Sequence, residues 1–267
     1  MKILYASKNG QKVHPSEIEV YLDRGRSDLK GVYEAVQTYS SIPFRLDEHM
    51  KRLQNSARES DLEIPLGTEK IKDLVLEAIT KAGVPNQFLT VIVVPLKLII
   101  ASRELDIDLF DMDLAFNVMT LSVERPHPSI KSLTARAVSA HALGKAYSKK
   151  FDEVILVDHK KLCTEGAFSN LFWIKDSRLY TNTEQALAGI TQEAIMELSR
   201  ELGGIKTSRL LKNNIYTPDE IFLSSSRLGI MPVVSVDRIK IGQGIPGPVT
   251  KKIKNLFLEL IKKECSK

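Results

Sequence analysis

The sequence predicts an α+β fold in two domains. Short apolar runs of strand length are interspersed with longer stretches whose apolar residues recur every three or four positions. A break at residues 123–128, holding Pro126 and Pro128, reads as a linker. The pattern changes beyond it. The expected domains are therefore residues 1–122, a small N-terminal α/β domain, and residues 129–267, a larger C-terminal domain.

The elements follow in order. Asn9-Gly10, between residues 3–6 and 12–14, is a hairpin signal. Residues 32–39 read as a strand and residues 40–43 as the turn after it. Asp47 is expected to cap a helix whose face carries Met50, Leu53 and Ala57. Thr68 is expected to cap another, with Ile71, Leu74, Val75, Ala78 and Ile79 on one side and Gly83 closing it. The most apolar run, residues 88–101, is broken by Pro95 and Lys97, and is too short for the ~20 residues of a membrane span. It reads as two buried strands with a turn. Residues 103–113 read as acidic and irregular. In the second half, a helix is expected over 133–150 and strands over 153–157 and 171–174, with a polar turn at 158–161. Further on come a helix over 191–202, strands over 221–224 and 233–236, and a last helix opened by Pro248.

Composition narrows the function classes. The 267 residues are 43% hydrophobic and 27% charged, which describes a folded globular chain. Two cysteines give no disulfide framework and point to a reduced, cytoplasmic setting. No secretory signal is seen. The net charge of +5 is scattered, without the aromatic motifs of RNA binding, so no nucleic-acid or membrane partner is expected. There is no G-x-G-x-x-G, no Walker lysine loop, no G-x-S-x-G and no H-E-x-x-H. The five histidines lack paired ligand spacing, so no metal is expected.

One segment stands out, Thr164-Glu165-Gly166-Ala167-Phe168-Ser169-Asn170-Leu171-Phe172. Generic chemistry says only that Glu165 adjoins a buried element, or is a surface turn acid. The segment resembles the signature of the fold-type IV pyridoxal-phosphate (PLP) enzymes. That family includes branched-chain aminotransferases, D-amino acid aminotransferases and aminodeoxychorismate lyases. The resemblance extends in collinear blocks over most of the chain. They are Asp23-Arg24-Gly25, Gly31-Val32-Tyr33-Glu34, the Phe44, His49, Arg52, Leu53, Ser56, Ala57 set, Ser129 to Leu133, Gly189-Ile190-Thr191, Ser224-Ser225-Ser226, and Gly244 with Gly247-Pro248 and Thr250.

The resemblance implies roles. Lys131 would be the amine that joins the cofactor and shuttles the α-proton, and partial burial would lower its pKa. Glu165 would hold the pyridine nitrogen's proton. Arg52, Ile190 and Thr191 at a helix start, and Ser225 with Ser226, would bind the phosphate. Tyr33 would line the substrate pocket or simply pack in the core. The family's arginine after the strand at residues 89–94 is missing, since Pro95-Leu96-Lys97 stands there. Arg227 is the expected substrate-carboxylate anchor instead, with Lys97 and Arg103 as alternatives. Thr134-Ala135-Arg136 replaces the family's usual Asn-Tyr or Asn-Leu. The expected function is amino-group transfer between an amino acid and a 2-oxo acid by a PLP-dependent homodimer. The alternative is 4-amino-4-deoxychorismate lyase, releasing pyruvate and 4-aminobenzoate. A binding module on a degenerate PLP scaffold is the reading without catalysis.

Overall fold

The computed structural model describes residues 2–105, 111–112 and 114–266. The chain divides into two compact units. One comprises Met1–Ile107, Ile130–Val138 and Ile261–Lys267, and the other Asp108–Ser129 and Ser139–Leu260. The segment expected as a linker, 123–128, thus lies inside the second unit, and Lys131 belongs to the first.

The first unit is built on β1 (Ile3–Lys8), β2 (Gln11–Lys12), α1 (Glu19–Leu22), β3 (Val32–Tyr39), β4 (Ile42–Pro43), α2 (Leu46–Glu59), α3 (Thr68–Ala82), β5 (Gln87–Val94) and β6 (Lys97–Glu104). Its strands form one antiparallel sheet in the order β2-β1-β6-β5-β3-β4. Asn9 and Gly10 both take positive φ, 51° and 84°, as a type I′ turn requires. Alternation along the strands sends Val32, Val36, Leu89, Val91 and Val93 toward α2 and α3. Tyr33, Ile92, Val94 and Ile99 pack on the other face with Ile18 and Leu133. With both faces covered, β5 and β6 read in sequence as one apolar run.

The second unit holds β7 (Phe116–Ser122), most of α4 (Leu133–Ser148), β8 (Glu153–Val157), β9 (Leu162–Gly166), β10 (Asn170–Lys175), β11 (Arg178–Thr181), α5 (Ile190–Leu198), β12 (Ile205–Thr207), β13 (Leu210–Leu211), β14 (Glu220–Ser225), β15 (Gly229–Val236), β16 (Ile239–Lys240) and most of α6 (Pro248–Glu264). Its strands run β12-β11-β10-β14-β15-β7-β8-β9-β13, with β16 on β15. β9 also pairs with β10, through Glu165 and Asn170, so six of these strands close into a ring. Val118, Ile155, Val157, Leu171, Trp173, Leu223 and Met231 lie in one core cluster of this unit.

Several local expectations need correction. Asp47 is not a cap: α2 begins at Leu46 behind Arg45 in the left-handed region, and Asp47 pairs with Lys72 at 2.7 Å. Gly67, not Thr68, is the N-cap of α3. Gly83 does end it, at φ 73°. Ile42–Pro43, expected as turn, pairs with β3. The stretch 103–113 starts as strand, because β6 runs to Glu104; residues 106–110 and 113 lie outside the described residues. β9 went unforeseen between the turn at 158–161 and β10. Among the described residues no helix is long and apolar enough to cross a membrane.

Candidate active site

In the first unit, Lys131 is fixed by its backbone. Its N–H donates to Ser56 Oγ at 3.2 Å, and its carbonyl accepts from Tyr33 N at 3.0 Å. Leu133 N reaches the Gly31 carbonyl at 2.8 Å, and Ser132 bridges Val32. The lysine segment thereby becomes an extra edge to the start of β3. Gly31 permits this approach: a Cβ there would meet Val93 O at 2.5 Å and Leu133 Cδ1 at 2.9 Å. Lys131 is half-buried, with Nζ 4.8 Å from the centroid of the Tyr33 ring. Tyr33 itself is buried in the core cluster that includes Leu133.

Strand alternation turns Glu34, unlike Tyr33, toward α2. His49 and Arg52 are spaced one helical turn apart on that helix and converge on it. Arg52 donates through Nε and Nη2 to Glu34 at 2.7 and 2.8 Å, and His49 Nδ1 lies 2.7 Å from Glu34 Oε2. Burial raises the Glu34 pKa, but the Arg52 charge and hydrogen bonds, then His49, outweigh it and hold the carboxyl far below its usual range. Burial pushes His49 down against the pull of Glu34. A neutral ring giving its Nδ1 proton to the carboxylate fits both shifts. Arg52, expected to bind phosphate, thus has two donors committed to Glu34.

In the second unit, Asn170 is the hub. Its backbone lies beside Glu165 on one side and Ser224 on the other. Its side-chain amide donates to Leu187 O at 2.7 Å. A Cβ on Gly189 would fall 2.0 Å from Asn170 Oδ1, so only glycine lets the start of α5 sit here. Asn170 therefore gathers β9, the entry to α5 and the end of β14. Glu165 is buried on β9, not in a surface turn. Its Oε1 accepts from Arg125 Nη1 at 2.7 Å and its Oε2 from Leu187 N at 3.2 Å. Both side chains, with Thr164, Pro128 and Gln185, line a cavity of about 240 Å³.

Ile190 and Thr191 are buried in the first turn of α5, whose N-cap is Gly189. The first N–H groups of a helix have no partner within it, so this end can take an anion. Ser225 and Ser226 are half-buried, and Ser225 Oγ accepts from Leu228 N at 3.1 Å. The Ser224 hydroxyl is buried without a hydrogen-bond partner among the described residues. Arg227 is half-buried in the turn before β15. Glu124, Asp158 and His159 bring ligand atoms within 4.8 Å of one another. Sequence spacing did not announce that grouping, and Glu124 and His159 already hydrogen-bond each other.

Three residues of this arrangement were given no role from the sequence. Glu34 sat in a matched block, and its position opposite Arg52 follows from strand parity. Arg125 lay in the proline-containing stretch, where no periodicity marks a buried side chain. Asn170 lies within the signature segment, but its part depends on the ring closure.

The chain is similar over nearly its whole length to known proteins. A branched-chain-amino-acid aminotransferase of Salmonella typhimurium is 30% identical over 281 residues, covering 94% of this chain and 91% of that protein. A D-alanine aminotransferase of Bacillus licheniformis is 27% identical over 307 residues, covering 100% and 99%. The branched-chain amino acid aminotransferase of Escherichia coli superposes with a TM-score of 0.86 at 29% identity, over 98% of this chain and 96% of that one. The branched-chain enzyme of Thermobaculum terrenum in its PLP form gives 0.85 at 21% identity, over 98% and 95%, and shows the shared fold. The profile of the family Amino-transferase class IV matches residues 31–236, and the chain belongs to that family.

Proposed function

We propose that this enzyme moves an amino group between an amino acid and a 2-oxo acid using PLP. Lys131 carries the reading: its backbone is tied to β3 and to Ser56, and its amine is presented at the Tyr33 ring. The donor sets fit PLP. Glu165 is a buried carboxylate at a cavity, which suits a protonated ring nitrogen, and the orphaned Ser224 hydroxyl and the α5 start suit a phosphate.

Bound PLP supplies an electron sink for bond changes at the amino-acid α-carbon. Lys131 would hold the cofactor through Nζ, and the same amine would take up and return the substrate α-proton. Glu165 would hold the cofactor's ring nitrogen, with Arg125 donating to its Oε1. In the second unit the N–H groups of Ile190 and Thr191, with Ser225 and Ser226, would hold the phosphate; the family resemblance gives Arg52 the same role. Tyr33 borders the substrate. On this reading the protein works as a homodimer in the cytoplasm; the free thiols of Cys163 and Cys265 suit a reducing compartment. The named relatives are aminotransferases, which favours transamination over aminodeoxychorismate cleavage.

The test is borohydride reduction of the PLP-loaded protein, followed by peptide mass mapping. The phosphopyridoxyl group should lie on Lys131. Single L- and D-amino acids should then bleach the unreduced protein's absorbance. Label on another lysine would overturn the assignment.

A further inference from the structure

Arg136 is a buried cation that meets no carboxylate among the described residues. It stands in the first turns of α4 and belongs, with Lys131, to the first unit. Only 4% of its surface is exposed. Nη2 donates to the carbonyls of Tyr21 and Asp23, at 2.7 and 3.1 Å. Nε is buried and finds no acceptor among the described residues. The Asp23 carboxylate is turned to the Gly25 N–H at 2.8 Å. The guanidinium carbon lies 5.3 Å from the Tyr33 centroid, the same ring that Lys131 Nζ approaches to 4.8 Å. Burial lowers the Arg136 pKa, yet a guanidinium keeps its charge in proteins.

A structural purpose does not account for this. Stacking on Tyr33 needs no charge, and joining two carbonyls needs only one nitrogen. The Asp23 charge favours the cation only from a distance, and a buried charge without a carboxylate in contact and an unmade hydrogen bond both cost stability. Such a group is explained when its counter-charge arrives with a ligand. Every substrate of amino transfer carries a carboxylate on the carbon next to the reacting nitrogen. Lys131 cannot bind that carboxylate while its own nitrogen reacts, so another donor must, and Arg136 lies on the same Tyr33 ring that Lys131 approaches. Of the alternatives named from the sequence in this unit, Lys97 is exposed and engages the Tyr21 hydroxyl at 3.2 Å.

We propose that Arg136 binds the carboxylate of the amino-acid and 2-oxo-acid substrates beside Lys131. This rests on the amino-transfer reading. Nε supplies the donor, and the two main-chain carbonyls fix the guanidinium plane before the substrate enters.

The test uses PLP-loaded protein and two unreactive probes, 4-methylpentanoate and 4-methylpentanamide, bound in a calorimeter. Wild-type protein should prefer the acid. Arg136→Gln should lose about ten- to hundredfold in acid affinity, as for a charge-assisted hydrogen bond, with amide affinity kept. KM for the amino acid should rise by a similar factor while kcat changes little. Arg136→Met, which stacks on Tyr33 without donors, is read in the same way if the glutamine variant fails to fold. An unchanged acid-to-amide ratio overturns the proposal, as does an equal loss for both probes, or a loss confined to Arg227→Ala. A wild-type protein that binds PLP but is bleached by no amino acid overturns the amino-transfer reading instead.

Discussion

Arg52 grips Glu34 with two parallel hydrogen bonds, Nε to Oε1 and Nη2 to Oε2, on a carboxylate with no exposed surface. The pair is one of fork against fork, the strongest arrangement available to these groups. Glu34→Gln should destabilise the protein by about 3 kcal/mol at pH 7, because Arg52 is left as a half-paired buried charge. The folded Glu34 pKa is depressed, so its contribution is present above the ordinary carboxylate range and lost as pH falls through and below it. Urea titrations of both proteins should therefore draw closer as pH drops below the ordinary glutamate pKa of about 4.3. A gap that stays constant there would contradict the ionised pair.

The phosphate role proposed for Arg52 is separable from its grip on Glu34. Arg52→Ala should weaken PLP binding by about 1.5–3 kcal/mol. The double variant Arg52→Ala, Glu34→Gln removes the orphaned carboxylate as well. PLP affinity should stay low in it, measured by quenching of Trp173 fluorescence or by equilibrium dialysis. Recovery to wild-type affinity would make Arg52 a structural partner only.

Glu165→Gln should slow α-proton removal at least about tenfold, or ~1.4 kcal/mol of barrier. PLP binding should change less. The amide cannot balance Arg125, which now holds Oε1 at 2.7 Å. Single-turnover rates with an α-deuterated amino acid measure the step directly, and an unchanged rate would remove Glu165 from the chemistry.

Glu153 offers a pH test away from the site. Its Oε1 accepts from Val154 N at 2.9 Å and Ala167 N at 3.2 Å, and burial pushes its pKa to about 7. The raised value means that the stability it lends is full below the ordinary carboxylate range and lost as pH rises through about 7. Glutamine accepts the same bonds and cannot ionise. Glu153→Gln should therefore gain on wild type with rising pH, by on the order of 3 kcal/mol by pH 8. Melting curves at pH 5 and 8 check this.

Legibility in the sequence followed the range of the forces involved. β3 and β8 fall on their predicted bounds because dense β-branched and apolar runs carry a local signal. α3 ends at Gly83 for a reason confined to one residue. β9 escaped notice because Leu162-Cys163-Thr164-Glu165-Gly166 alternates poorly; it pairs with its hairpin neighbour β8 and with β13 from farther along the chain. The start of α2 was misplaced since Arg45 takes the left-handed turn that an aspartate cap would have made needless. At the site, motif blocks pointed to Lys131 and Glu165. Arg125, the partner of Glu165, and Glu34, the partner of Arg52, emerged only once ring closure and strand parity were known. Arg136 was visible as a departure from the family pattern, but its unmet Nε–H depends on burial that no sequence window reports.

The stitching of Lys131 onto β3 has a thermodynamic consequence. The Lys131 N–H donates to Ser56 Oγ and its carbonyl accepts from Tyr33 N, and these two bonds hold its peptide units. Ordering a residue's backbone costs ~1–2 kcal/mol, and that loss is incurred when the chain folds. On the role proposed for Lys131, capture of the cofactor would draw only on the torsions of the lysine side chain, at most ~2 kcal/mol of freedom. The proposed amine is thus one flexible tether on a rigid post, which would leave the remaining binding energy for holding the phosphate and the ring.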